Sequence, residues 1–367
     1  LRHDDVRQHW RRLEDEWLRK WYLTVENDTA LMTLLGWAER KFGPEQLEGF
    51  LRMDTPSVAQ LRTLHGLARR CAAVPEVDAA LRAADQPAFR TALAAHPELQ
   101  HDLDAYLAEF GGRFPNELKL EQASPLDSFA LQASILLAAA AHPLAPAVPD
   151  NGSSMPWGIR KLRQFVRQRE ELRLLRSTAF GWLRRLLLAS GTHAAREGWL
   201  RHPEDVFWLT REEWLDGQPA QWAGAVTQRQ ADYAKFPDQA PPRSFAWMPG
   251  EAVPSADAVA ARERLEGTRV VPGRLTGRVL VMPEFQPAPW PEFDLLVARH
   301  TDPGWSLLLA QSKGLIIEHG GLLSHAAIVA RELGIPTLVG VAGATDWLAT
   351  GDQVVLDATA GTVHRTS

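Results

Sequence analysis

The hydrophobic pattern changes once along the chain, and this change constrains the fold more than any other feature. In residues 1–215 apolar side chains recur at helical spacing among good helix formers, as at Leu13, Trp17, Leu18 and Trp21. From about residue 269 onward, short β-rich runs alternate with turns and helix-forming segments. The pattern predicts an irregular all-helical domain followed by a compact α/β domain.

Three regions follow from this pattern. Residues 1–215 form the predicted helical domain, and residues 216–268 are a proline-rich linker or wrapping segment without regular structure. Residues 269–367 form the predicted α/β domain. Its strand candidates are 277–282, 294–299, 314–318, 337–341 and 353–357, and its helix candidates are 303–312 and 324–333.

Composition and charge exclude several classes of protein. Hydrophobic residues make up 45% and charged residues 23%, as in ordinary globular proteins, so disorder is not expected. With 40 basic and 45 acidic residues the net charge is −5, which argues against non-specific nucleic-acid binding. The basic stretch 160–185 is interpreted as the solvated face of a helix. No nucleic-acid partner is therefore predicted.

Cysteine usage and hydropathy indicate the compartment. Cys71 is the single cysteine, which excludes a disulfide within the chain and a cysteine-based zinc site, and no metal site is predicted. The most apolar stretch, 129–148, is interrupted by polar residues and prolines, so no membrane association is predicted. A cytoplasmic location follows as an expectation. The start without Met or an apolar leader suggests part of a longer chain.

The stretch "GGLLSHAAIVARELGIP", residues 320–336, combines a turn with a short helix. Gly320 and Gly321 allow a sharp turn and a close approach to a ligand, and Ser324 is a good N-cap residue. Gly334 is a typical residue at a helix end, and the proline that follows prevents continuation. His325 is thereby predicted to lie in the first helical turn.

The first turn of a helix carries unpaired N–H groups that favour an anion and disfavour an imidazolium cation. A neutral His325 side chain in this place can attack a phosphoryl group, and the helix end would stabilise the phosphohistidine that results. The alternative is that His325 is an ordinary residue at a helix start. The local physics leaves both interpretations open.

Longer segments around His325 resemble a known family. "GGLLSHAAIVARELGIPTLVGV" resembles the phosphohistidine signature of the PEP-utilising enzymes, which include phosphoenolpyruvate synthase, pyruvate phosphate dikinase and rifampicin phosphotransferase. "GRLTGRVLVM", "HTDPGWSLLLAQSKGLIIEHGG" and "GDQVVLDATAGTV" are similar to the family's flanking segments, the last as its closing hairpin. The helical part is similar to rifampicin-phosphotransferase-like members in "FGGRFPNELKLE" and "RHPEDVFWLTREEW".

The resemblance implies a swivelling β/β/α phosphohistidine domain at 269–367. His325 would be the catalytic phosphate carrier, supported by Gly320, Gly321 and Ser324, and would form a covalent phosphohistidine. The phosphoryl group would come from ATP, bound with Mg²⁺ by an ATP-grasp module, and would go to a small-molecule acceptor in the helical domain. No glycine-rich nucleotide loop is visible in residues 1–265, so the ATP-grasp module is expected to be a missing domain or a separate subunit.

Other polar residues are weaker candidates. Arg113, Glu117, Lys119 and Glu121 are predicted to lie on an extended segment that binds the acceptor or guides the phosphohistidine; the alternative is a solvated loop. His319 precedes the turn and either binds phosphate or orients the backbone. Further along the chain, Arg169, Arg173 and Arg176 share one helix side, where surface ion pairs are favoured over phosphate contacts, and Asn27 and Asp28 are interpreted as helix caps.

The predicted function is an ATP-dependent, dikinase-like phosphotransfer to a small acceptor, apolar or aromatic in character. Two alternatives remain open. One is a condensing ligase of the prodigiosin-synthetase type that uses phosphoryl activation, and the other is a noncatalytic phosphorelay module. A degenerate scaffold is disfavoured because Ser324 and His325 are both present in the turn. Whether the β or the γ phosphate is used is undecided.

Overall fold

The computed structural model describes residues 3–53, 55–113, 116, 118–141, 155–236, 263–286 and 290–366. The chain divides into two compact units. The first unit comprises Leu1–Arg11 and Arg185–Arg262, and the second comprises Arg12–Arg184 and Glu263–Ser367.

Helices occupy most of the described chain before residue 236. They are α1 (His3–Glu16), α2 (Tyr22–Leu51), α3 (Pro56–Ala72), α4 (Pro75–Arg82), α5 (Gln86–Ala94), α6 (Pro97–Phe110), α7 (Phe129–Ala141), α8 (Trp157–Arg196), α9 (Arg211–Asp216) and α10 (Trp222–Tyr233). Proline opens α3, α4 and α6, where its fixed φ suits the first turn and its missing N–H leaves no bond unmade. Inside α2, Gly43 leaves the helical conformation with φ 73° and ψ 167°, which kinks this helix.

Strands and short helices occupy the rest of the described chain. The strands are β1 (Arg264–Glu266), β2 (Thr268–Val271), β3 (Arg274–Met282), β4 (Leu295–Ala298), β5 (Gly314–Ile317), β6 (Thr337–Val339), β7 (Gln353–Asp357) and β8 (Thr362–Arg365), and the helices are α11 (Ser306–Gln311), α12 (His325–Leu333) and α13 (Ala344–Trp347). The sheet order is β1-β8-β7-β3-β4-β5-β6-β2. Strands β3 to β6 run parallel, while β7, β8 and β1 on one side and β2 on the other are antiparallel to their neighbours.

Alternation along the buried strands separates two apolar layers. In β4, Leu296 and Ala298 pack with α11 and α12 on one face, while Leu295 and Val297 pack toward α13 on the other. This arrangement confirms the predicted fold class, a helical region followed by an α/β domain. All the strand candidates form strands, and β1, β2 and β8 are additional.

The second unit has two helical cores. Helices α3 to α7 enclose Leu61, Leu81 and Leu103, and Leu307 of α11 joins them. Helices α2 and α8 enclose a second core that contains Leu31 and Leu162, and Leu323 and Ile328 from the α/β region pack into it. The α/β region therefore packs directly against helices α2, α3, α7 and α8 within this unit.

The first unit is held by tryptophan contacts. The Trp214 indole is buried, donates from Nε1 to Ser190 Oγ at 2.9 Å, and meets Trp10 edge to face at 5.4 Å between centroids. Trp199 and Trp222 form a similar pair. Trp222 and Val226 bury one side of α10, so a helix stands where an irregular linker was predicted.

Two sequence predictions require correction. The segment 216–268 contains α10, β1 and the start of β2, because buried side chains outweigh its proline content; residues 237–262 of this predicted linker lie outside the described residues. The basic stretch 160–185 is not simply a solvated face. Arg163 is buried and donates to the carbonyls of Phe50 and Arg52, and Arg184 is buried against Asp127.

Within the described ranges, none of the helices combines the length and apolarity needed to cross a membrane.

Candidate active site around His325

The turn that precedes α12 depends on one glycine. Gly320 has φ +151°, and a Cβ atom built on it would lie 3.0 Å from Ser324 Oγ. A Cβ on Gly321 would meet nothing within 4 Å, so of the two predicted turn glycines the structure places the steric demand on Gly320. Gly334 ends α12 in the left-handed conformation, as predicted.

Ser324 occupies the N-cap position, but its side chain makes no capping hydrogen bond. Its carbonyl oxygen accepts from the Ile328 N–H at 3.0 Å. His325 is the first residue of α12. The first-turn position predicted for His325 is confirmed, and the first turn of α12 begins without a side-chain cap.

His325 is enclosed between two polar side chains from distant parts of the chain. Its side chain has no exposed surface, and Nδ1 lies 3.6 Å from Glu170 Oε2, an ion-pair distance longer than a hydrogen bond. The other ring nitrogen, Nε2, lies 3.1 Å from Ser306 Oγ. The Ser306 hydroxyl donates to the Pro303 carbonyl oxygen at 2.7 Å. The imidazole therefore has a carboxylate on one side and a hydroxyl on the other.

Glu170 is the centre of a buried polar network on the helical side. The Ser57 hydroxyl donates to Glu170 Oε2 at 2.6 Å, and Arg173 Nη1 donates to Oε1 at 3.3 Å. Arg113 Nη1 lies 3.4 Å from Ser57 Oγ and donates to Gln60 Oε1 at 2.6 Å. The residues of α3, α8 and the segment after α6 that form this network hold the Glu170 carboxylate in place beside His325.

Burial and charge act on the two partners in different ways. Burial lowers the pKa of His325, Glu170 opposes this effect, and Arg173 and Arg113 lower the pKa further. Burial alone would raise the pKa of Glu170, but His325, Arg173 and the Ser57 hydroxyl outweigh burial and hold it below its usual range. The resting pair is therefore a neutral imidazole beside a carboxylate.

The carboxylate selects one tautomer of the neutral ring. An ionised carboxylate only accepts hydrogen bonds, so the nitrogen that faces Glu170 is favoured as N–H. This nitrogen is Nδ1. Nε2 then keeps its lone pair, and the single Ser306 hydroxyl proton can be donated either to this lone pair at 3.1 Å or to the Pro303 carbonyl at 2.7 Å. The ring nitrogen of His325 that this tautomer leaves unprotonated is therefore Nε2.

A narrow cavity lies beside Ser306. Leu64, Leu103, Tyr106 and Phe110 contribute to its apolar walls, and Gln60, Arg113 and Ser306 also line it. The Tyr106 hydroxyl accepts from Gln60 Nε2 at 3.3 Å, and burial raises the Tyr106 pKa to about 12. The cavity volume is ≈ 60 Å³. Drug-sized ligands usually occupy about 300–1,000 Å³, so this cavity is closed to them in the present arrangement.

The part of the chain that carries His325 matches a described family. Residues 290–361 match the PEP-utilising enzyme, mobile domain. Residues 290–361 are therefore similar to such a mobile domain. This segment contains β4 to β7, α11, α12 and α13, and hence both His325 and Ser306.

Curated relatives extend the likeness beyond the mobile domain. An uncharacterized protein of Mycobacterium tuberculosis is 32% identical over 337 residues, which are 87% of this chain and 38% of that protein. Rifampicin phosphotransferase of Streptomyces sviceus is 33% identical over 56% of this chain and 24% of its own length. The prodigiosin synthesizing transferase PigC of Serratia marcescens is 28% identical over 72% of this chain and 33% of its own length. The chain thus spans 38% or less of these three relatives.

The candidates near residue 113 separate in the structure. Arg113 is buried and belongs to the Glu170 network, whereas Lys119 and Glu121 are exposed. The prediction of an extended segment is wrong, because backbone bonds from Lys119 N to Asn116 O and from Gln122 N to Lys119 O form turns. Glu117 lies outside the described residues.

The remaining candidates contact partners other than the His325 ring. The His319 side chain, just before the mobile domain's glycine turn, is 46% exposed and lies 3.8 Å from Glu318 Oε1. Arg169 pairs with Asp28 at 3.0 Å and donates to the Leu323 carbonyl. Asn27 and Asp28 lie inside α2, which begins at Tyr22, so the prediction that they cap a helix is wrong.

Glu170, Ser57 and Ser306 were missed as functional residues. A signal for Glu170 was present, because Leu162, Val166 and Glu170 follow each other at i+4 and form one buried stripe of α8. A carboxylate on such a stripe requires a partner. Spacing could not identify the partner of Glu170, because His325 lies in a distant segment of the chain.

In the ranges that the structure describes, no group of three or more His, Cys, Asp or Glu is arranged to hold a metal ion.

Proposed function

We propose that this chain is the carrier and acceptor part of a phosphotransferase, in which His325 Nε2 carries the phosphoryl group. The observation that carries the proposal is the buried His325, fixed between Glu170 and Ser306 and located in a PEP-utilising mobile domain. The rifampicin phosphotransferase relatives support the same reaction type.

Loading of His325 follows from its tautomer. The Nε2 lone pair attacks the phosphorus atom of a donor phosphate, the bond from phosphorus to the leaving oxygen breaks, and Nδ1 keeps its proton. We assign ATP, Mg²⁺ and their binding residues to an ATP-grasp partner.

The acceptor would bind in the cavity beside Ser306. Apolar walls from α3, α6 and α7 favour an apolar or aromatic body, and Arg113 and Gln60 supply a polar end. Arg113 would also stabilise charge on the phosphoryl group during transfer. Since the cavity volume is ≈ 60 Å³, we propose that the mobile domain moves away to admit the acceptor and then returns.

A second candidate is activation of the acceptor for condensation with another molecule. The observation that favours it is the PigC relative, which aligns with 72% of this chain. Both candidates use the same phosphohistidine, and they differ in the product. A transferase releases a phosphorylated acceptor, whereas a condensing enzyme releases inorganic phosphate together with a joined product.

The first experiment tests the carrier directly. The chain is incubated with labelled phosphoramidate, a small donor that phosphorylates imidazoles, and the labelled residue is located by mass spectrometry. We expect acid-labile, base-stable label on His325, loss of that label in His325→Asn, and unchanged label in the control His319→Asn. Label that persists in His325→Asn contradicts the proposal.

The second experiment identifies the donor phosphate. The full-length protein, or this chain with its ATP-grasp partner, is incubated with β- and γ-labelled ATP. Label on His325 from only one of the two positions identifies the phosphate that is transferred. Absence of label from both positions contradicts the assignment of ATP as the donor.

A further inference from the structure

Glu170 belongs to the helices and not to the mobile domain. It lies on α8, and Ser57 and Arg173, which orient its carboxylate, lie on α3 and α8. His325 contacts this carboxylate only when the mobile domain packs against these helices. A mobile phosphohistidine therefore meets Glu170 at one location, and that location borders the acceptor cavity through Ser306.

Resting on the proposed function, we propose that Glu170 is a positioning residue that keeps the Nδ1 proton on phosphorylated His325 and so activates the phosphoryl group only at the acceptor site. The geometry shows the arrangement required. Oε2 faces Nδ1 at 3.6 Å, while Nε2 is directed to the opposite side, toward Ser306.

The chemistry explains why this proton matters. With Nδ1 protonated, the bond between Nε2 and phosphorus breaks with its electron pair moving to Nε2, and the leaving group is a neutral imidazole. Without this proton the leaving group is an imidazolate anion, which is a much poorer leaving group. The acceptor oxygen forms the new bond to phosphorus, and its proton passes to water. The imidazole that remains is the Nδ1–H tautomer, ready for the next cycle.

The charges around the ring support this role. Glu170 and Arg173 face His325 from α8, and Arg113 faces it from the segment after α6. The positive charges of Arg173 and Arg113 destabilise a protonated His325 ring, and among these three groups the Glu170 carboxylate stabilises it. Away from the helices a phosphohistidine lacks this carboxylate. It is then less reactive toward water, which protects it during movement of the mobile domain.

One test measures the tautomer without any phosphorylation. Long-range ¹H–¹⁵N NMR of the imidazole nitrogens in the unmodified chain is expected to show His325 protonated at Nδ1 and unprotonated at Nε2. Glu170→Gln is expected to yield a mixture of tautomers, whereas Glu171→Gln is not. Glu171 undergoes the same chemical change one residue along α8 but is exposed. A wild-type ring protonated at Nε2 would overturn the proposal.

A second test follows the chemistry. The chain is labelled with phosphoramidate, and loss of label from His325 to water is followed from pH 5 to 9. At low pH, where Nδ1 is protonated, the rate of label loss should be constant, and it should fall once Nδ1 loses its proton. We expect this fall to begin about one to three pH units lower in Glu170→Gln than in the wild type, because the variant lacks the carboxylate charge that holds the proton. The corresponding rate at pH 7.5 falls about tenfold or more. Glu171→Gln is expected to follow the wild type.

The outcomes separate this proposal from the proposed function. If His325 takes no label, the carrier role fails. The NMR result then still decides whether Glu170 keeps the proton on Nδ1 of the unmodified ring. If label forms but the Glu170→Gln and wild-type profiles coincide, the activating role fails and the carrier role stands. Ser57→Ala removes one hydrogen bond to Glu170 but keeps its charge. Ser57→Ala should shift the pH profile of label loss in the same direction as Glu170→Gln but by a smaller amount. This variant therefore serves as the test if Glu170→Gln does not fold.

Discussion

Substitution of Ile328 by Ala tests how α12 joins two cores. Ile328 is buried against the α2 and α8 core, which includes Leu31 and Leu162. Its neighbour Val329 is buried on the sheet side with Leu296 and Ile317. Ile328 therefore faces the helical core, whereas Val329 faces the sheet. Adjacent positions on one helix thus report on two different interfaces.

The magnitude follows from the atoms removed. Ile328→Ala deletes three carbon groups, which corresponds to about 2.4 kcal/mol of lost burial and about 2–5 kcal/mol when the cavity is included. Val329→Ala deletes two groups, or about 1.6 kcal/mol before any cavity effect. The first loss should weaken packing of the mobile domain on α2 and α8, and the second should weaken the α/β fold itself.

Hydrogen exchange with mass spectrometry separates the two effects. Ile328→Ala should lower amide protection in the facing parts of α2 and α8 and in α12, while β4 and β5 keep their protection. Val329→Ala should lower protection in β4 and β5. Equal loss of protection in β4 and β5 for both variants would refute the assignment of Ile328 to the helical core.

Three further predictions concern the turn, the pH response and the thiol. Gly320→Ala should lower stability by about 1–3 kcal/mol because of the positive φ, whereas Gly321→Ala should stay within about 0.5 kcal/mol; thermal unfolding of both variants checks this. Burial lowers the pKa of His325 in the folded state, so the unfolded chain binds more protons below about pH 6.5 and stability falls as the pH decreases through that region. Thermal unfolding from pH 7.5 to 5 should show a smaller loss in His325→Gln than in the wild type, and an equal loss would contradict this reasoning. Burial raises the pKa of Cys71 to about 11, so a thiol reagent at pH 8 should react slowly with the native chain and rapidly with the unfolded chain.

Local pattern was a good guide to the elements around the site. Short β-rich runs between turn residues predicted the strands that became β3 to β7. Gly334 marked the end of α12 because glycine adopts the left-handed conformation without strain. The same pattern failed for residues 222–233. There Trp222 and Val226 are buried in α10, and that packing outweighs the proline-rich surroundings.

The sequence by itself determined the fold class of a helical region followed by an α/β domain, the position of His325 at the start of a helix and the likeness to the PEP-utilising enzymes. These features depend on periodicity, on turn chemistry and on segments contiguous in the chain. Only the tertiary structure decided that Glu170 and Ser306 lie on opposite sides of His325, and that Arg113 joins this network while Lys119 and Glu121 are exposed. The physical reason is that periodicity indicates which side chains are buried, whereas the packing of distant helices and strands determines which buried polar groups meet.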